Sequence, residues 1–266
     1  MAISLGESLH IGFADIWTRK VRSIVTIIGI ILGVMSIMVV LAIVNGMNKS
    51  TMDWMQARGG LNKIEVERNW QYDFSKGGKA EFTLKEIDYI KSKIPEAVAI
   101  NPKVSEFGLE LARGEQTFQA QVQGVVPDMT VVDEWDVGKG RFIKDMDVRQ
   151  FNDVVVLGSR VASTLFGSRN PLGQQVLLKG QISAGGPGGA SGMQTLKTQT
   201  LTVIGVMQEK KMKAQGGQSA FGDNPLEYMN RRAFIPLSTM IWKVNHALAI
   251  TSLELKAKDH TSAVAL

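Results

Sequence analysis

The residues whose types could do chemistry are few in this chain, and their spacing joins none of them into a site. The three histidines, His10, His246 and His260, are too dispersed for a metal motif, and no H-E-x-x-H occurs. None of the 266 residues is cysteine, which removes disulfides, thiolate zinc sites and thiol nucleophiles together. Ser219, in Gly217-Gln218-Ser219-Ala220-Phe221, resembles a nucleophile elbow until its last position, where Phe221 replaces the required glycine. The glycine-rich stretch 183–192 (SAGGPGGASG) lacks the Lys-Ser/Thr pair that a phosphate-cradling loop needs. Acids pair at Asp133-Glu134 and at Asp145 with Asp147, but acids in such loops are ordinarily solvated surface. The expectation is therefore no enzyme, no metal and no cofactor, which leaves binding, coupling or scaffolding.

Composition agrees with a folded protein at 44% hydrophobic and 21% charged residues, with no long low-complexity tract. The net charge of +5 is spread along the chain without clusters that interleave with aromatics, so no nucleic-acid partner is expected. Much of the apolar content falls in one run, residues 24–44 (IVTIIGIILGVMSIMVVLAIV), which carries no charge. As a helix this run is about 31 Å long, close to the hydrocarbon thickness of a bilayer. Thr26 and Ser36 can return their hydroxyl bonds to the preceding turn. The run is too long for a cleaved signal peptide, and its exit, Ala42-Ile43-Val44, is not a cleavage site. It reads as a membrane anchor. Arg19, Lys20 and Arg22 before it, against Lys49 after it, favour a cytoplasmic N-terminus, a bias weakened when Arg58 and Lys63 are counted.

Within the span, Gly29 and Gly33 form a G-x-x-x-G pair with Ser36 one turn on, the small-residue stripe that lets a second helix approach. Glycine is also common in membrane helices for no such reason, so the pair is a candidate packing face only. Ser4 and Glu7 have the form of a capping box, and Leu5, Leu9, Phe13, Ile16 and Trp17 recur at helical spacing, as in a helix on a membrane surface.

Beyond the span, 45–58 is polar yet free of proline, so the helix can continue outwards until Gly59-Gly60. Residues 63–68 alternate as a half-buried strand does. Thr83 and Glu86 cap a helix whose apolar face is Leu84, Ile87, Ile90 and Ile94. Strands are predicted at 97–100, 103–111, 117–126, 154–157, 175–179, 201–206, 232–235 and 247–256. A helix carrying Val161 and Leu165 is predicted to stop at Gly167, and a short helix falls near 238–244. Residues 183–192 and 208–230 read as a loop and an exposed arm. Strands and helices mix without regular alternation, so the fold class is α+β: a transmembrane helix, then a mixed α/β domain.

These residues resemble a known family, the membrane subunit of MacB/FtsX-type ABC transporters. The resemblance runs through Arg22-Ser23-Ile24-Val25-Thr26, Gly29-Ile30-Ile31-Leu32-Gly33, Gly60-Leu61-Asn62-Lys63-Ile64 and Gln123-Gly124-Val125-Val126-Pro127. It continues through Gly140-Arg141-Phe142, Val154-Val155-Val156-Leu157-Gly158, Leu165-Phe166-Gly167 and Asn170-Pro171-Leu172-Gly173. Val203-Ile204-Gly205-Val206 and Phe234-Ile235-Pro236-Leu237 close the series.

The resemblance implies a permease without ATPase activity of its own, working with a cytoplasmic ABC ATPase subunit in the bacterial inner membrane. It implies a homo- or heterodimer of permeases, and a substrate or periplasmic partner protein met by the outer domain. It also implies residues 1–22 on the cytoplasmic side, 23–58 as span and stalk, and 59–266 outside in two lobes. One lobe is about 61–126 plus 235–266, with the other, 127–234, inserted. Family members carry three further membrane helices, and 247–255 is too short and polar to be one, so the chain is expected to be a fragment of a longer permease. The reading from another class is a single-span adaptor or binding protein.

Overall fold

The computed structural model describes residues 17, 20–67, 84–94, 96–184, 192–196, 198–212, 224–246, 250–259 and 263. The amphipathic N-terminal pattern, Thr83, Ser219, His10 and His260 lie outside the described residues, apart from Trp17. The chain divides into two compact units at Met52.

The apolar run forms part of one α-helix, α1 (Lys20–Ala57), of 38 residues. Among the described residues it is the one helix long and apolar enough to cross a membrane, with a mean hydropathy of 3.1 over its window. As expected, Thr26 Oγ1 donates to Arg22 O (2.8 Å) and Ser36 Oγ to Leu32 O (2.8 Å), so neither hydroxyl is left unpaired.

The second unit holds the strands β1 (Lys63–Glu67), β2 (Ala97–Arg113), β3 (Gln116–Val125) and β4 (Val137–Gly140). They are followed by β5 (Val154–Leu157), β6 (Gln175–Lys179), β7 (Gln181–Ala184), β8 (Gly192–Thr195), β9 (Gln199–Met207), β10 (Arg232–Pro236) and β11 (Ser252–Ala257). Helices α2 (Leu84–Lys93), α3 (Met129–Val132), α4 (Asp145–Arg149) and α5 (Ser159–Phe166) lie between them. The short α6 (Glu227–Asn230) and α7 (Leu237–Thr239) complete the set, the latter running into a π-helical turn, Met240–Asn245.

Nine strands form one sheet in the order β1-β11-β2-β3-β10-β5-β9-β4, with β6 pairing both β2 and β9. That double pairing closes β2, β3, β10, β5, β9 and β6 into a ring. Its inside is apolar: Leu111, Val122, Val155, Leu178, Leu201, Val203 and Ile235 are all buried in one cluster, which leaves no room for a channel.

The seventeen-residue β2 joins this ring to a smaller layer. Its first half pairs with β11, which pairs in turn with β1. One face of those three strands, with Ile64, Val66, Ile100, Leu253 and Leu255, packs on Ile87 and Ile90 of α2 and on Ile94 just beyond it. The sequence predicts two strands, 97–100 and 103–111, where β2 is one: Asn101 and Pro102 between them stay in register opposite Glu254 and Leu253, and a bulge follows between Glu106 and Leu109.

Two stretches read as loops differ from expectation. Ser183, Ala184 and Gly192 belong to the paired strands β7 and β8. Within the supposed arm, Leu226, Met229 and Asn230 are buried, so its end is part of the core.

Candidate functional site

The alternating residues of β1, β11 and β2 that do not face α2 are mostly charged. Lys63 and Glu65 lie on β1, Glu254 and Lys256 on β11, Asn101 and Lys103 on β2. The register sets Lys63 opposite Lys256 and Glu65 opposite Glu254, two like-charge pairs that repel if left alone. Diagonal contacts resolve them. Lys63 Nζ lies 2.9 Å from Glu254 Oε1. Lys103 Nζ bridges Glu254 Oε1 (2.7 Å) and Glu65 Oε1 (3.0 Å). Asn101 Nδ2 donates to the other Glu254 oxygen at 2.8 Å.

The turn after α3 supplies the rest. Asp133 accepts from Lys63 Nζ at 2.5 Å, and Glu134 pairs with Lys256. Both acids were expected to be solvated surface, and for Asp133 that expectation fails: it is 2% exposed, because the sheet's lysines need its charge where water is excluded. Glu134 remains largely outside, its side chain 55% exposed. The other acid pair divides the same way. Asp147 is buried and held bidentately by Arg141, Nη1 to Oδ2 at 2.5 Å and Nη2 to Oδ1 at 3.1 Å, while Asp145 is exposed.

The end of α1 enters this cluster. Trp54 and Ala57 pack on a second apolar core formed by Val125, Met129, Trp135, Val156, Met207 and Phe234. Gly60 N closes the last turn on Gln56 O at 3.2 Å, and Lys256 Nζ donates to Gly59 O at 2.6 Å. Gly59 has φ +118°, and a Cβ there would sit 2.3 Å from Val132 O. Only glycine fits, because the backbone of the helix end and that of the turn touch. Asn62 then joins the last residue of β11, its Nδ2 donating to Ala257 O (2.7 Å) while Ala257 N donates to Asn62 O (2.9 Å). Helix end, turn and sheet form one joint.

The charges shift one another as this geometry requires. Burial pushes the Glu254 carboxyl up, but the Lys103 and Lys63 ammonium groups beside it outweigh burial and hold it at about 2. Burial alone lowers Lys63, whereas Asp133 and Glu254 raise it above the ordinary lysine value. The Arg141 guanidinium holds Asp147 at about 2. A buried network of this kind gives little net stability but is intolerant of losing a member, and it fixes one geometry for whatever is bonded to it.

A family model for the MacB-like periplasmic core domain matches residues 23–266. The chain belongs to that family. Macrolide export ATP-binding/permease protein MacB of Campylobacter jejuni is 25% identical over 260 residues, 96% of this chain and 35% of that protein. Pyoverdine export ATP-binding/permease protein PvdT of Pseudomonas aeruginosa is 27% identical over 175 residues, 65% of this chain and 25% of that protein. The chain thus spans about a third of the length of the curated relatives it matches.

Two solved structures share the fold. The periplasmic region of MacB from Actinobacillus actinomycetemcomitans has a TM-score of 0.54 at 19% identity, covering 77% of this chain and 78% of that one. The extracellular domain of the noncanonic ABC-type transporter YknZ from Gram-positive bacteria has a TM-score of 0.55 at 16% identity, covering 77% and 88%. The relatives are named as export ATP-binding/permease proteins, and α1 of this chain is long and apolar enough to cross a membrane.

Several quoted family motifs fall where backbones cross. In Gly140-Arg141-Phe142, a Cβ on Gly140 would meet Ile204 O at 2.3 Å, and one on Gly205 would meet Arg141 O at 2.2 Å. Phe142 of the same motif lies 6.0 Å from Phe234. The candidate packing residues behave differently. A Cβ on Gly29 or Gly33 would meet nothing within 4 Å, and Ser36 is exposed, so among the described residues no contact uses that face. The buried joint was missed from sequence. Its one trace was the alternation of charge in 63–67 and 252–256, which reads equally as a wet strand face.

Proposed function

We propose that the chain is part of a permease subunit that couples ATP hydrolysis by a partner ABC ATPase to export or to work outside the membrane. It has no ATPase activity itself. The observation that carries this reading is the continuity of α1, an apolar helix that does not end in a loop but runs to Ala57, whose last turn is locked into the joint. A helix fixed at its end to a rigid ionic cluster can transmit displacement, whereas a flexible tether cannot. The names of the relatives, which pair ATP-binding with permease functions, support the same reading.

In this proposal residues 1–22 face the cytoplasm, 23–58 cross the inner membrane and extend beyond it, and 59–266 lie outside. The lobes are 61–126 with 235–266 and the inserted 127–234. Two permeases pair in the membrane, and Gly29, Gly33 and Ser36 are the packing face. The outer domain meets a substrate or a periplasmic partner, with surfaces such as 208–230 setting specificity.

The glycines give a clean test, because a Cβ at either position meets nothing within 4 Å among the described residues. In the complete permease with its ATPase, Gly29→Leu with Gly33→Leu is expected to cut the yield of crosslinked permease dimer about tenfold, the loss of roughly 1.4 kcal/mol of helix packing. ATP turnover should fall with it. Unchanged crosslinking would remove the packing role, and a permease that binds no ATPase, or that hydrolyses ATP alone, would overturn the function.

A further inference from the structure

One open cleft on the second unit takes no part in the joint. It lies between α5 and the edge where β4 pairs with the end of β9, and its volume is about 370 Å³. Small residues make it. Ser159, Ala162 and Ser163 fall on one face of α5 by helical spacing, and Gly167 continues that face past the last turn. A Cβ on Gly167 would meet nothing within 4 Å, so the space beside it is open. On the facing wall β4 presents Gly138, which has no side chain to fill the gap.

The lining divides by chemistry. Ala162, Pro171, Val206 and Met207 are buried and give an apolar floor. Lys139 and Arg169 stand exposed at the rim, the first carried by β4 and the second by the turn after α5. Among the described residues neither has an ion-pair partner. The one acid of the lining, Glu209, is already taken by Lys211 at 2.9 Å. Ser159 and Ser168 bring further hydroxyls to the α5 side, while the Ser163 hydroxyl is committed to Arg160 O at 2.9 Å. The cleft therefore sets two uncompensated cations above an apolar surface.

That combination selects its occupant. The volume falls in the range that holds small organic molecules, in sites with apolar walls and a few polar groups that fix orientation. An inorganic anion would leave the floor uncovered, and a folded protein surface is too broad to enter. A cationic molecule would meet Lys139 and Arg169 with no free acid to receive it. We propose that this cleft is a binding site for a small organic anion, one with a flat or compact apolar body and a single carboxylate or sulfonate group. The apolar body covers the floor, and the acid group lies between Lys139 and Arg169 as a charge-assisted acceptor. This goes beyond the coupling function proposed above and does not need it, so no ATPase enters the test.

The test is isothermal titration of the full chain in a non-ionic detergent with naphthalene-2-sulfonate, the heat into detergent alone being subtracted. The neutral 2-naphthol and the cationic 2-naphthylmethylammonium have the same rings and isolate the charge. The sulfonate should bind saturably with a Kd on the order of 0.1 mM. Lys139→Gln with Arg169→Gln should weaken it at least about tenfold, as loss of charge-assisted hydrogen bonds does. Ser163→Phe, which fills the cleft from an exposed helix position, should abolish binding, and circular dichroism checks that the fold is kept. Arg149→Gln removes an exposed charge on α4 outside the lining and should change nothing. The naphthol should bind at least about tenfold more weakly than the sulfonate, and the ammonium not at all. Absence of saturable sulfonate binding would overturn the proposal. So would sulfonate binding unchanged in the Lys139 and Arg169 double variant, or equal binding of all three probes.

Discussion

Glu254→Ala is expected to cost about 3–5 kcal/mol, a large share of the 5–15 kcal/mol that holds a domain of this kind together. The substitution removes the carboxylate shared by Lys63, Lys103 and Asn101 and leaves two ammonium groups short of a partner where water is scarce. Urea denaturation of the full chain, followed by circular dichroism of the strand-rich unit, measures it. A fall of less than about 1 kcal/mol would mean that the network is as dispensable as a surface ion pair.

Glu254→Gln separates charge from hydrogen bonding. The native carboxyl titrates near 2 against an ordinary 4.5, so its folded-state pKa is depressed. Its contribution is complete above pH 4.5 and is lost as pH falls from there towards 2, on the order of 3 kcal/mol over that window. Asp147, also held at about 2, loses its contribution in the same direction. Stability of the wild-type chain should therefore fall through this range, and Glu254→Gln should start lower and fall less steeply. Parallel curves would place the titrating group elsewhere.

Gly59→Ala carries the second large effect. The added carbon would lie 2.3 Å from Val132 O, with Asp133 Cα also close at 3.2 Å, and neither backbone can step aside as a flexible side chain could. A positive φ of 118° adds backbone strain for any residue with a Cβ. Together these should cost about 3 kcal/mol or more. The expected outcome is a lowered melting temperature with loss of protection at the Gly60 amide, because the last turn of α1 no longer closes against the turn 132–134. Gly46→Ala is the control. That glycine lies in α1 with open space around it, so alanine should be neutral or stabilising by up to about 1 kcal/mol. If Gly59→Ala behaves like the control, the helix end is not held by close backbone contact.

The sequence was legible wherever a local pattern decided the outcome. The apolar run, the alternation in β1, the Ile87-Ile90 face of α2 and the stop at Gly167 all require only a few neighbouring residues. Closure of the ring was not legible, because β6 meets β2 across 65 to 69 residues and nothing in its five residues names that partner. Strand β4, four residues with two glycines, has no strand propensity and exists because β9 offers it an edge. The joint was hidden for a related reason. Charged residues alternating along β11 say which face is polar, but only the delivery of Asp133 from the turn after α3 makes that face buried. Acids in loops are usually wet; Asp133 departs from that rule because Lys63 meets its carboxylate, and Asp147 is buried within α4 where Arg141 meets it.

The central claim is that the end of α1 and the buried network move as one unit with ATP turnover. The most direct measurement is amide exchange at 56–67 and 252–257 in the complete transporter, compared between the nucleotide-free state and a trapped ATP-analogue state. The account predicts a several-fold change in protection in both segments together, with the ring strands β5 and β9 unchanged. Identical exchange at both segments in the two states, in a transporter that turns over ATP normally, would contradict it.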